Sequence, residues 1–177
     1  MIVRNRISNA STIALLALPL AVMLQSCSAP AAPAPAPPSS LIGQPSQSTN
    51  LSNDDRRALI LKFTAALNAV DRNAMEQVVT PDVTWTLPRK SLVSCTETGV
   101  QGIIARGRTM SDYGLNRQVQ HLVFGIQSAA VETHNTGSHN GRSVDEYVVT
   151  TFSFENGKIS KIDSAVSDVD GVNSYFS

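Results

Sequence analysis

The sequence predicts an α+β domain in which N-terminal helices pack on one face of a curved antiparallel sheet. Two observations predict it. Residues 129–166 hold three runs rich in Val, Ile, Thr, Tyr and Phe, separated by Asn140-Gly141 and Asn156-Gly157. Asn-Gly between β-prone runs is a strong hairpin signal, because both central residues of a type I′ turn need φ > 0. The stretch therefore reads as a three-stranded antiparallel meander. Upstream, Leu59, Phe63, Leu67 and Val70 recur at helical spacing, with Arg56, Lys62 and Asn68 off that face.

The first helix starts at Ser52, which can cap it, with Asp55 three residues on and two acids suited to the positive end of the helix dipole. Val70-Asp71-Arg72 breaks it, and a short second helix over residues 73–79 is closed by Pro81. Val83 to Leu87 reads as a strand that stops at Pro88. Residues 89–99 form a polar loop without periodicity. Val100, Ile103, Ile104 and Met110 predict a third helix, against the helix-weakening Gly102 and Gly107. Residues 119–133 read as one long strand, bent by a bulge at Gly125. Residues 168–176 suit a short closing helix. A curved sheet with helices on one face leaves a cone, the default place for a ligand.

The first 50 residues have a different character. Arg4 and Arg6 precede an apolar run over residues 13–23, which has the length of a secretory h-region. Pro19 interrupts it, and a membrane span needs about 20 apolar residues. Leu24-Gln25-Ser26-Cys27 is similar to a bacterial lipobox, which makes Cys27 the expected lipidation site; ordinary secretory cleavage nearby is the alternative. Residues 28–50 are Ala, Pro, Ser and Gln almost throughout, an extended polyproline spacer at about 3 Å per residue. The expected organisation is a lipoprotein-type signal peptide over 1–26, a lipidated, disordered linker over 27–50 and one domain over 51–177. Such a chain is exported and lipid-anchored to a bacterial membrane, on its periplasmic or cell-surface face.

Cys95 is the only cysteine after residue 50, so the domain has no disulfide of its own. Without Arg4 and Arg6, 12 basic residues stand against 14 acidic ones. With no basic stripe and no interleaved aromatics, nucleic acid is not an expected partner.

Residues 63–75, Pro81-Asp82-Val83-Thr84-Trp85, Asn140-Gly141-Arg142, Tyr147-Val148 and residues 155–159 together resemble the SnoaL-like branch of the NTF2-like superfamily. That superfamily includes ketosteroid isomerases, limonene-epoxide hydrolases and polyketide cyclases. The resemblance covers nearly all of residues 51–166. It implies an NTF2-like cone with an apolar pocket, commonly in a homodimer whose sheets pack together. It implies no cofactor, and fold alone does not imply an enzyme.

Isomerases of this fold polarise a ketone with a Tyr on the first helix and a protonated acid on the central hairpin strand. They move the proton with an Asp after the first strand. Phe63, Thr150 and Leu87 fall at those places, and none of them titrates usefully. Epoxide hydrolases of the fold activate water with an Arg-x-Asp pair and an Asp on the last strand; Val131, Thr133 and Ser164 stand there instead. Neither acid–base set is matched.

The same matching implies which faces line the cone. Val148, Thr150 and Phe152 point inward from the central strand, and Ile162, Ser164 and Val166 from the last. Phe63 and Leu67, with Trp85 or Leu87 according to register, close the other side. This lining suits a small apolar molecule; otherwise these residues pack a closed core. Glu146 shares parity with Val148 and Thr150, which places it at the cavity's rim. A carboxylate in an apolar pocket has a raised pKa and can act as a general base. A Glu beside a hairpin turn is more often a solvated surface acid, so Glu146 is a catalytic candidate only by this route. His121, His134 and His139 match no zinc spacing, and no metal is expected. Arg89 and Lys90 upstream of Cys95 favour a thiolate, with no base nearby. Tyr147, Val149 and Thr151 share the outward face of the central strand, where a partner protein would dock. The reading is therefore a tethered domain that binds a small apolar molecule or serves as a non-catalytic accessory or dimerisation module. The alternative is an isomerase, cyclase or hydratase acting on a hydrophobic substrate through Glu146.

Overall fold

The computed structural model describes residues 51–88 and 90–177. The expected signal peptide, Cys27 and the linker lie outside the described residues. Helix α1 (Asn53–Ala69) begins as its capping chemistry dictates. Ser52 Oγ accepts from the Asp55 N–H while the Asp55 carboxylate accepts from the Ser52 N–H. It ends where Val70 turns left-handed at φ 52°. Asp71 then caps α2 (Arg72–Val78) by accepting the Ala74 N–H.

Strand β1 (Val79–Leu87) starts earlier than the sequence suggests, so Pro81 sits inside it rather than closing α2. The pairing of β1 with its neighbour slips register between Val79 and Thr84, where a residue without an N–H is tolerated. The stretch read as a polar loop contains a short strand, β2 (Cys95–Thr98), paired antiparallel with β1. Helix α3 (Gly99–Asp112) runs through both of its inner glycines. At Gly107 a Cβ would lie 2.6 Å from Leu67 Cδ1 and 3.3 Å from Leu67 O, so the missing side chain is what lets α3 approach α1.

The rest is β3 (Asn116–Phe124), β4 (Ser128–His139), β5 (Arg142–Glu155), β6 (Lys158–Val166) and α4 (Val169–Tyr175), the last capped by Asp168. The single long strand expected over 119–133 is in fact two. Gly125 lies in the turn between them, its N–H bonded to Ser128 O, and the bulge falls instead between Val119 and His121. Buried Arg56 fixes that turn by donating to the carbonyls of Gly125, Ile126 and Ser128 at 2.7–3.0 Å.

The six strands form one sheet in the order β2-β1-β6-β5-β4-β3. All neighbours are antiparallel except β1 and β6, so the sheet is mixed. The two Asn-Gly turns of the β4-β5-β6 meander have φ of 50°, 76°, 51° and 77°, as a type I′ turn requires. Ile60, Phe63 and Leu67 of α1 and Ile103 and Met110 of α3 pack on the inner face of the sheet. No described helix is long and apolar enough to cross a membrane.

Candidate functional site

The inner face of the sheet and the helices line a partly open cavity of about 70 Å³. For scale, an apolar cavity of about 150 Å³ binds benzene. Phe63 and Leu67 form its α1 wall, and Trp85 and Leu87 its β1 wall. Val148, Thr150 and Phe152 line it from β5, and Ser164 and Val166 from β6. Ile162, expected beside them, is fully buried behind the lining, paired with Phe152 and Trp85 in the sheet. Val172 and Phe176, at and just after α4, close the remaining side.

Alternation sets the walls, and side-chain contacts fix their shape. The Phe63 ring stands edge-on to Phe152 at 5.6 Å and to Trp85 at 6.0 Å. The indole N–H donates to Ser164 Oγ at 3.0 Å, and Ser164 Oγ also shares a hydrogen bond of 2.9 Å with Thr150 Oγ1. These hydroxyls are thus spent on each other and on the indole. Arg106 holds the outer side of the Trp85 wall. It lies 4.9 Å from the ring centre and donates to the carbonyls of Trp85 and Cys95 at 2.7 Å and of Ser94 at 3.3 Å. Burial lowers its pKa to about 10, so it stays charged.

One end of the cavity is polar. The two-residue turn at Asn140-Gly141 places Asn135 of β4 directly opposite Glu146 of β5, and β3 places Arg117 opposite Asn135. All three line the cavity as one row across three strands. Glu146 is only 4% exposed, which overturns the solvated-acid reading: it is inside the cone, not at a wet rim. Burial pushes its carboxyl up to about 7, helped by the negative Asp168 and opposed by a hydrogen bond from Asn135. Glu146 Oε2 and Asn135 Oδ1 are both buried without a hydrogen-bond partner. A carboxyl with this pKa has the proton-transfer range of a general acid or base at neutral pH.

The sequence alone singles out neither Asn135 nor Arg117. The turn itself gives Asn135, since a two-residue loop fixes every cross-strand pair by counting outward. Arg117 had no such signal, because the break between β3 and β4 was not visible.

The histidines lie outside this site. His121 pairs with Glu132 at 2.6 Å and His134 with Asp145 at 2.7 Å, while His139 stacks on Tyr113. His134 also stacks on Tyr147, on the outer face with exposed Val149. Among the described residues, no group of three His, Cys, Asp or Glu could hold a metal ion. Cys95 is not a free thiol, which removes the reactive-cysteine reading.

A cone of this topology with its cavity on the inner face of the sheet is the NTF2-like fold. The SnoaL-like domain family matches residues 60–162, and the chain belongs to that family. No curated protein shares significant sequence similarity with it. Similar solved structures include Bal32a from a soil-derived mobile gene cassette, at 18% identity and a TM-score of 0.65, covering 70% of this chain and 98% of that one. TerC co-crystallised with polyporic acid aligns at 17% identity and 0.60, over 69% of this chain and 98% of that one. A putative SnoaL-like polyketide cyclase from Jannaschia sp. CCS1 aligns at 18% identity and 0.59, over 76% and 97%.

Proposed function

We propose that this protein is an exported, lipid-anchored binding protein whose SnoaL-like cone takes up a small, mainly apolar molecule. The observation that carries the binding reading is the apolar cavity ending in two buried, unpartnered oxygens, Glu146 Oε2 and Asn135 Oδ1. Leaving such atoms unpaired costs about 1–3 kcal/mol each, a debt that a ligand's polar group removes. The co-crystal of TerC with polyporic acid supports the same use of the fold. The lipobox-like Leu24-Gln25-Ser26-Cys27 and the proline-rich spacer support the tether.

A second reading has its own support. Glu146, held near a pKa of about 7 inside an apolar space, suits proton transfer on a hydrophobic substrate, as an isomerase, cyclase or hydratase would need. The test of binding is native mass spectrometry of the full chain purified gently from its own host. A reproducible adduct that disappears in Thr150→Trp supports the cavity as its seat. A bare protein under the same conditions, with the Trp variant equally folded, contradicts it. The enzyme reading then depends on whether the identified molecule is turned over by the wild type and not by Glu146→Gln.

A further inference from the structure

We infer that the ligand of this cavity carries a carboxylate or comparably delocalised anionic head, seated between Arg117 and Glu146, on an apolar body. The inference rests on the binding reading above and adds the chemical class of the ligand.

Arg117 lines the cavity as a cation without a counter-charge. Its Nη1 donates to the neutral sulfur of Met110 at 3.5 Å and its Nη2 to the side-chain carbonyl of Asn68. No acid lies within ion-pair distance of it among the described residues. Its Nε is buried with no hydrogen-bond partner. Burial depresses its pKa only to about 10, so the guanidinium keeps its charge at neutral pH. Arg117 is half-buried, with its Nε on the inside, and a charge withdrawn even in part from water is unfavourable unless paired.

Glu146 cannot serve as that pair. Asn135 stands between them on β4, so the two residues are two strand spacings apart, about 10 Å at the backbone. Glu146 has its own deficit: its Oε2 is buried and unbonded, and its one polar neighbour in the row is the Asn135 amide. In its neutral form it has one O–H to donate. The row therefore offers a guanidinium N–H from one side and a carboxyl O–H from the other. A carboxylate accepts both with its two oxygens, and its charge cancels that of Arg117. An alcohol can give its proton to Asn135 Oδ1 and accept from one donor but leaves the Arg117 charge unpaired, and an ammonium adds a second positive charge beside the first. The apolar body then lies against Phe63, Trp85 and Phe152.

The cavity's volume limits that body. At about 70 Å³ it takes a short chain.

Trp85 is the only tryptophan in the chain and part of the cavity wall, so its emission reports occupancy directly. The test titrates the full chain with hexanoate and with hexanol, equal in chain length. Hexanoate is expected to bind at least tenfold more tightly, the difference of one charge-assisted hydrogen bond. Arg117→Gln is expected to abolish that preference. Equal affinities for the two probes in the wild type overturn the anionic head and leave the cavity reading standing; this comparison depends on no variant folding. A preference that survives Arg117→Gln also overturns it. If neither probe perturbs Trp85 emission or melting temperature, the binding reading itself falls, and the inference with it.

Discussion

Replacing Glu146 with Gln changes how the stability of this domain depends on pH. The folded-state pKa of Glu146 is about 7 against an ordinary value of 4.5. A carboxyl whose pKa is raised by folding binds its proton more tightly in the native state. Its stabilising effect is complete below about pH 4.5 and is lost as pH rises through about 7. At about 1.4 kcal/mol per pH unit, the gap amounts to about 3 kcal/mol by pH 8.5. For a domain of this size that is a fall in melting temperature of about 10 °C. Gln cannot ionise, yet its amide oxygen can still accept the hydrogen bond from Asn135. The assay is denaturant unfolding of wild type and Glu146→Gln at pH 5 and pH 8.5, with other titrating groups common to both. The variant is expected to gain about 3 kcal/mol on the wild type across that interval. Parallel profiles would mean that Glu146 ionises freely in the native state, and the account of a desolvated carboxyl would be wrong.

Three further changes test other parts of the account. Arg106→Met leaves the carbonyls of Trp85, Ser94 and Cys95 without their buried donor, and a loss of about 3 kcal/mol in unfolding free energy is expected. Gly141→Ala meets nothing within 4 Å but must hold φ at 76°, so a loss of about 1 kcal/mol is expected with no change in fold; a neutral result would put the hairpin turn in doubt. Cys27→Ser is expected to move the protein from the membrane fraction to the soluble exported fraction, while continued membrane association would remove the lipid anchor.

The sheet was legible where local chemistry decides it. Asn140-Gly141 and Asn156-Gly157 set φ > 0 turns, and from them followed three strands, while the inward parity of Val148, Thr150 and Phe152 was what the family resemblance implied. The Ser52–Asp55 capping box located α1 to the residue. What depended on distant partners was not legible. The β3–β4 turn at residues 125–128 is held by Arg56, some 70 positions away in sequence, and nothing local marks it. β2 exists because β1 offers it an edge, and four residues show no period of their own. The burial of Glu146 likewise comes from elsewhere. It lies a few residues from a solvated turn, and the cavity's walls, with Val172 and Phe176 closing one side, remove it from water. Parity found its face, but depth required the tertiary packing.

The central claim is that the cavity ending at Glu146 holds a ligand in the working protein. The most direct measurement is a high-resolution crystal structure of the chain isolated from its own host without exposure to competing small molecules. The account predicts continuous density for one small organic molecule, bounded by Phe63, Trp85 and Phe152, with a polar group within hydrogen-bond distance of Glu146. A cavity that holds only ordered water, or one that has collapsed around Glu146, would contradict it.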